Sequence, residues 1–116
     1  MRLFIIDSDD EFRAEAHHRL GVDGSLVVGE TDTGFGALEA IERSAPTVVL
    51  VDAGLTDPDA PTLVGQLTTA IPGLVCVLVS HGTTDPGQSP AVGVIAAQDL
   101  TLTALRALVE GTSAAD

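Results

Sequence analysis

The segment VVLVD at Val48–Asp52 is the stretch on which the predicted fold depends. Four consecutive β-branched or aliphatic residues are typical of a strand that is buried on both faces of a parallel sheet, and an aspartate follows them. The same pattern occurs as LFII at residues 3–6, followed by Asp7, and as LVCVLV at residues 74–79, followed by Ser80. These three runs predict buried parallel strands, each followed by a polar side chain.

Helical patterns separate the predicted strands. Apolar residues recur at intervals of three or four between the strands and near the end of the chain, which predicts four helices. Thr33 is predicted to cap the second helix and Gly111 to end the last one. Strands that alternate with helices predict an α/β fold, an open, doubly wound parallel sheet covered on both faces. The five predicted strands are residues 3–6, 26–28, 48–51, 74–79 and 92–96.

Composition limits the class of protein. The chain has 116 residues, of which 45% are hydrophobic, so it is long enough for one domain with its own core. The single cysteine, Cys76, excludes a disulfide within the chain and is predicted to pack in the core. A net charge of −12 without any lysine predicts that this domain does not itself bind nucleic acid. No signal peptide or membrane-length apolar run is found, so a cytoplasmic protein without membrane contact is expected.

Acidic residues at strand ends form the candidate site. In a doubly wound sheet, ligands bind at the carboxyl ends of the strands, so Asp7 and Asp52 are expected to form an acidic pocket. Carboxylates there could bind Mg²⁺ or attack a phosphoryl group, and the hydroxyl of Ser80 could bond to phosphoryl oxygens. Acids in such positions also serve as helix caps, and this is the favoured interpretation of Asp9. His81 is placed in the loop at the rim of the pocket, where contact with a ligand is the alternative to a structural role.

Four segments carry a family resemblance. They read RLFIIDSDDEFR, GALEAIERSAPTVVLVDAGL, LVCVLVS and GVIAAQDLTLTAL. With them the chain resembles the receiver domain of bacterial response regulators along nearly its full length. The resemblance implies a three-layer flavodoxin-like fold with strand order 2-1-3-4-5. It also implies that Asp52 is the phosphoacceptor, Asp7 the first of two paired acids and Ser80 the switch hydroxyl, with Mg²⁺ as cofactor and a histidine kinase or small phosphodonor as the phosphoryl source.

The chain departs from the family pattern at the metal site. The family has two consecutive acids after its first strand, and Ser8 stands at the second of these positions. A neutral hydroxyl is a weak ligand for a hard cation, so Mg²⁺ is expected to bind weakly, or not at all, at Asp7 and Asp52. Asp9, one residue further on, is the candidate substitute ligand.

The chain also departs from the family pattern at the lysine that binds the phosphoryl group and at the residues that transmit the signal. The family lysine after the fifth strand corresponds to Ala97 or Gln98, and the aromatic switch residue of that strand corresponds to Val94. The family's fourth helix corresponds to residues 82–90, where two prolines predict a loop or at most one helical turn. The chain is therefore expected to be an atypical receiver with an incomplete phosphorylation pocket.

The predicted function is that of a receiver domain and not of an enzyme. Residues 1–111 are expected to form the domain, and residues 112–116 to begin a linker to a C-terminal output domain that binds DNA. Association with a second copy or the output domain is expected through the fifth strand and the last helix, by way of Leu102, Leu105 and Val109. The alternative is a pseudo-receiver that dimerises or binds a small ligand independently of phosphorylation.

Overall fold

The described part of the chain forms five strands and four α-helices. The computed structural model describes residues 1–22, 24–82, 91 and 93–114. The elements are β1 (Arg2–Ile6), α1 (Asp10–Leu20), β2 (Leu26–Thr31), α2 (Ala37–Ser44), β3 (Val48–Asp52), α3 (Ala60–Ala70), β4 (Val75–Ser80), β5 (Gly93–Ala96) and α4 (Leu102–Ala114), with a 3₁₀ turn at Ala97–Asp99.

The strands form one sheet in the order β2-β1-β3-β4-β5. Every neighbouring pair of strands is parallel, so the doubly wound fold and its strand order are confirmed. The predicted loop at residues 82–90 lies, except for Gly82, outside the described residues.

Alternate residues of the central strands pack on opposite faces of the sheet. Phe4 and Ile6 of β1 face α2 and α3, whereas Leu3 and Ile5 face α1 and α4. Cys76 of β4 is buried in the first of these two cores, as predicted. Each large apolar side chain that is fully buried stabilises the fold by about 1.5–3 kcal/mol, so the strand ends rest on a firmly packed base. None of the described helices is both long and apolar enough to cross a bilayer.

The second strand extends three residues further than predicted. Residues 29–31 continue the parallel pairing with residues 4–6 of β1. Gly29 permits this close approach, because a Cβ atom at that position would lie 2.7 Å from the ring of Phe4. The extension carries the end of β2 up to the edge of the sheet where the acidic residues lie.

Two predicted helix boundaries are wrong. The cap of α2 is Gly36, whose φ of 74° lies in the left-handed region, and not Thr33. Thr33 stabilises the preceding turn instead, where its hydroxyl accepts a hydrogen bond from the N–H of Phe35 at 3.3 Å. The last helix continues through Gly111 to Ala114, because Gly111 does not adopt the left-handed conformation with which glycine ends helices.

The predicted contact face of the last helix is also wrong in part. Leu102 and Leu105, expected at an exposed surface, are 5% and 0% exposed because they pack in the core beneath the sheet. Val109 is half-buried against the same core. In this part of the molecule Val94 of β5, which is 46% exposed, is the large apolar side chain that faces solvent.

Candidate functional site

Two buried carboxylates lie at the carboxyl edge of the sheet, where they were predicted. Asp7 directly follows β1 and is 1% exposed, and Asp52 is the last residue of β3 and is 7% exposed. Their strands are neighbours in the sheet. The N–H of Asp7 donates to the carbonyl of Thr31 at the end of β2, at 3.0 Å, which holds the chain in place just after β1.

Both carboxylate oxygens of Asp7 have partners. The N–H of Asp9 donates to Oδ1 at 2.9 Å, and Nε2 of His81 lies 2.6 Å from Oδ2. Burial raises the pKa of Asp7, and the nearby charge of Asp52 raises it further. The hydrogen bonds from Asp9 and His81 act in the opposite direction, but burial prevails.

One of the two carboxylate oxygens of Asp52 accepts a hydrogen bond. Its Oδ1 accepts a hydrogen bond from the N–H of Gly54 at 2.8 Å, across the turn that follows β3. The N–H of Ala53 donates to the carbonyl of Val79 of β4, at 2.8 Å, so the backbone next to Asp52 is tied to the neighbouring strand. Among the described residues, no side chain or backbone N–H donates to Oδ2 of Asp52. A carboxylate with one oxygen held and the other available is suited to act as a ligand or a nucleophile.

His81 completes the cluster. It follows β4 directly, and its side chain is 30% exposed. Its ring packs edge-to-face on Phe12 of α1, with ring centroids 4.7 Å apart and an interplanar angle of 86°. One ligand atom each from Asp7, Asp52 and His81 can be chosen so that all three lie within 4.8 Å of one another. The sequence analysis places His81 only at the rim of the pocket. Its position directly after a strand of the same sheet could have shown that it lies with the two acids.

The other predicted site residues make local contacts. Asp9 caps α1, since its Oδ1 accepts hydrogen bonds from the N–H groups of Glu11 at 3.0 Å and Phe12 at 3.2 Å. The hydroxyl of Ser80 donates to the carbonyl of Gly82 at 2.9 Å. The structure therefore brings Asp7 and Asp52 together with His81, and it places Asp9 and Ser80 in hydrogen bonds within their own segments.

Neutral groups occupy the position of the family lysine. Ala97 begins the 3₁₀ turn, and its carbonyl accepts a hydrogen bond from Nη1 of Arg19 at 3.1 Å. Gln98 is exposed. The guanidinium of Arg19 is also paired with Glu15. Arg19 thus braces the turn and does not take over the role of the missing lysine.

Another arginine, which the sequence pattern does not single out, supports the acidic pocket from behind. Nη1 of Arg13 donates to the backbone carbonyl of Asp7, and the same guanidinium pairs with Asp10 and, at 2.7 Å, with Glu30. This arginine fixes the backbone of Asp7 but its described contacts do not include either buried carboxylate. In the sequence, Arg13 looks like an ordinary surface arginine of a helix. Its contact with the backbone of Asp7 is therefore visible only in the folded structure.

An open cleft of about 510 Å³ adjoins the acidic pair. Gly54, whose N–H holds Asp52, lies on its wall, and so does Ser8. Phe35, which is 86% exposed, also lines the cleft. The cleft leaves room for a molecule the size of a small phosphodonor to approach this edge of the sheet.

The donor set does not fit Mg²⁺ well. This ion prefers a near-ideal octahedron of oxygen ligands, usually with several waters and one or two carboxylates. The pocket offers two carboxylates, and the third group that converges on it is the imidazole of His81. The exposed Ser8 adds no charge, and the side chain of Asp9 is engaged in capping α1.

Comparison with known proteins supports the assignment that fold and site suggest. No protein-family model matches the chain. Among curated proteins it is similar to the DNA-binding transcriptional activator DevR/DosR of Mycobacterium tuberculosis, with 27% identity over 93 residues that cover 79% of this chain and 43% of that protein. The chain thus spans less than half the length of this curated relative.

Solved structures share the fold. The signal receiver domain of NarL from Mycobacterium tuberculosis superposes with a TM-score of 0.75 at 25% identity, over 98% of this chain and 94% of that one. A two-component response regulator of the LuxR family from Aurantimonas sp. SI85-9A1 gives a TM-score of 0.81 at 16% identity, over 95% of this chain and 85% of that one.

A sheet in this strand order, with buried carboxylates at its carboxyl edge, is an arrangement shared with signal-receiving domains. The chain has the receiver-domain fold and is similar to the receiver domains of response regulators.

Proposed function

We propose that the chain is the cytoplasmic receiver domain of a DNA-binding response regulator and that Asp52 is its phosphoacceptor. The observation that carries the proposal is the placement of Asp52 at the end of β3, buried beside Asp7, with one oxygen held by Gly54 and the other available. The curated relative, described as a DNA-binding transcriptional activator, is more than twice as long as its matched part. We therefore propose that the receiver, predicted as residues 1–111 and ending with α4, is followed by a DNA-binding output domain.

The geometry of Asp52 determines how the residue would accept a phosphoryl group. Its available oxygen attacks the phosphorus atom of the donor, a new P–O bond forms, and the bond from phosphorus to the donor breaks as the leaving group departs with the electron pair. In the cell a histidine kinase would be the donor. The described residues hold the carboxylates of Asp52 and Asp7 in place.

A second candidate function is favoured by the neutral residues around the pocket. Stabilisation of charge is the main requirement of phosphoryl transfer, and the positions of the second acid and of the lysine are occupied by Ser8 and by Ala97 or Gln98. Such a pocket supports a phosphorylation-independent module that signals by association or by binding a small ligand. If Asp52 accepts phosphate, these residues predict slow transfer.

Intact-mass measurement separates the two candidates. The chain is incubated with acetyl phosphate and a divalent cation, and the gain of one phosphoryl group is followed over time. We expect the gain to disappear in Asp52→Asn and to persist in Asp57→Asn, a matched control in the exposed loop after β3. A gain that survives Asp52→Asn contradicts the assignment of Asp52. No gain in the wild-type chain supports the phosphorylation-independent module.

A further inference from the structure

The two buried carboxylates of the pocket lack a full counter-charge. Burying an unpaired carboxylate is unfavourable, and two of them side by side are more so. Arg13, the arginine that contacts the backbone of Asp7, has its charge taken up by Asp10 and Glu30. Within the described residues, the imidazole of His81 is the basic side chain that contacts either carboxylate. The pocket therefore has the charge of a cation-binding site and contains one nitrogen donor.

The imidazole is held in the orientation that a ligand needs. The edge-to-face packing on Phe12, itself a buried residue of α1, fixes the plane of the His81 ring. In that orientation Nε2 points at Asp7 and not at solvent. Ligand atoms bound to one ion at about 2.1 Å lie about 3–3.4 Å apart, so the contact of His81 with Asp7 has to open slightly on binding. Side-chain rotations of this size leave the backbone in place.

We propose that Asp7, Asp52 and His81 bind a divalent first-row transition-metal ion, such as Zn²⁺ or Co²⁺, in preference to Mg²⁺. Imidazole nitrogen favours these ions, whereas Mg²⁺ favours oxygen ligands alone. Two carboxylates and one histidine form a three-ligand set that leaves further positions for water or for an anion. The proposal deepens the proposed function, since it concerns the same pocket, but it does not require that Asp52 be phosphorylated.

Metal titration of the untagged chain tests this proposal. Calorimetry with ZnCl₂, CoCl₂ and MgCl₂ is expected to give one transition-metal site per chain, with an affinity at least about tenfold higher than that for Mg²⁺. The visible spectrum of bound Co²⁺ depends on its coordination geometry and ligand set, so it changes when a ligand is lost. His81→Gln is expected to weaken Co²⁺ binding by about 10–100-fold and to change its spectrum, while Mg²⁺ binding changes little.

Two variants serve as controls for the titration. His18→Gln, at an exposed position on α1, is expected to keep the wild-type affinity, which excludes binding at this exposed histidine. Asp52→Asn is expected to weaken the binding of all three ions. Thermal unfolding of each variant without metal shows that it is folded. Mg²⁺ binding as tight as Co²⁺ binding, or unchanged Co²⁺ affinity in His81→Gln, overturns the proposal, and neither result bears on whether Asp52 gains a phosphoryl group.

Discussion

Nε2 of His81 lies 2.6 Å from Oδ2 of Asp7, although the two residues are 74 positions apart in the chain. His81 follows β4 and Asp7 follows β1, and β3 lies between these strands in the sheet. The contact therefore spans the end of β3, where Asp52 is located. A histidine in this place links the residue after β4 to Asp7 and lies close to Asp52.

Replacing Asp7 by asparagine is expected to stabilise the fold at neutral pH. Burial raises the pKa of Asp7 above its ordinary value of 3.8, so the folded state favours the neutral carboxyl group and is weakened when this group ionises. The stabilising effect of the neutral form is complete below the pKa of the unfolded chain and is lost as the pH rises through the pKa of the folded chain. Asparagine keeps an acceptor for the N–H of Asp9 and has no charge. We therefore expect Asp7→Asn to have a higher free energy of unfolding than the wild-type chain at neutral pH.

Urea unfolding in the presence of EDTA measures this effect. The difference between Asp7→Asn and the wild-type chain should grow as the pH rises above the ordinary pKa of 3.8 and level off above the raised pKa of the folded chain. The control is Asp9→Asn, because aspartate and asparagine cap helices about equally well. Equal stability of Asp7→Asn and wild type at neutral pH would show that the buried charge is compensated.

Two glycine-to-alanine substitutions are expected to have opposite effects on stability. A Cβ at Gly29 would lie 2.7 Å from the ring of Phe4, which is 2% exposed and cannot move away freely, so Gly29→Ala should destabilise. We expect a loss of about 1–3 kcal/mol. A Cβ at Gly65 in α3 meets nothing within 4 Å, and alanine is the better helix former, so Gly65→Ala should stabilise by about 0.5–1 kcal/mol. Denaturant midpoints of the two variants, compared with wild type, check both signs, and a stable Gly29→Ala variant would mean that β1 and β2 can separate.

The thiol of Cys76 is expected to be inert in the folded chain. Burial raises its pKa to about 12, and the residue is 1% exposed. At about pH 8 a thiol with this pKa is ionised in about one molecule in ten thousand, and the thiolate is the reactive form. A chromogenic disulfide reagent should therefore react fully in denaturant and hardly at all without it. Fast reaction of the native chain would indicate frequent opening of the core around β4.

The exposed side chain of Val94 is expected to mediate association with a second copy of the chain. Val94 stands on the edge strand β5 and is 46% exposed. Light scattering at increasing concentration should show self-association that Val94→Glu abolishes, because a charge on this face is unfavourable in an apolar contact. Leu26→Glu on the opposite edge strand, where Leu26 is 57% exposed, is the matched control. A chain that is monomeric at all concentrations would contradict this prediction.

The buried strands could be predicted from the sequence because each is marked by a short run of neighbouring residues. Runs such as VVLVD identify parallel strands by their composition alone, and the carboxyl ends of such strands meet at one edge of the sheet. Asp7 and Asp52 could therefore be paired before any coordinates were known. The strand order came from the resemblance to receiver domains. Helix ends were less readable, since the choice of Gly36 over Thr33 as a cap depends on the geometry of the turn and not on which residue is the better cap.

Only the tertiary structure decided what surrounds the acids. The ring of His81 is oriented by its contact with Phe12 of α1. Asp9, the candidate substitute ligand, instead caps α1 with its side chain. Leu105 likewise has the same helical spacing whether it faces a partner or the sheet, and the packing of α4 placed it in the core. Residue type and spacing determine which side chains share a face, but the contacts of a face depend on elements that are distant in the chain.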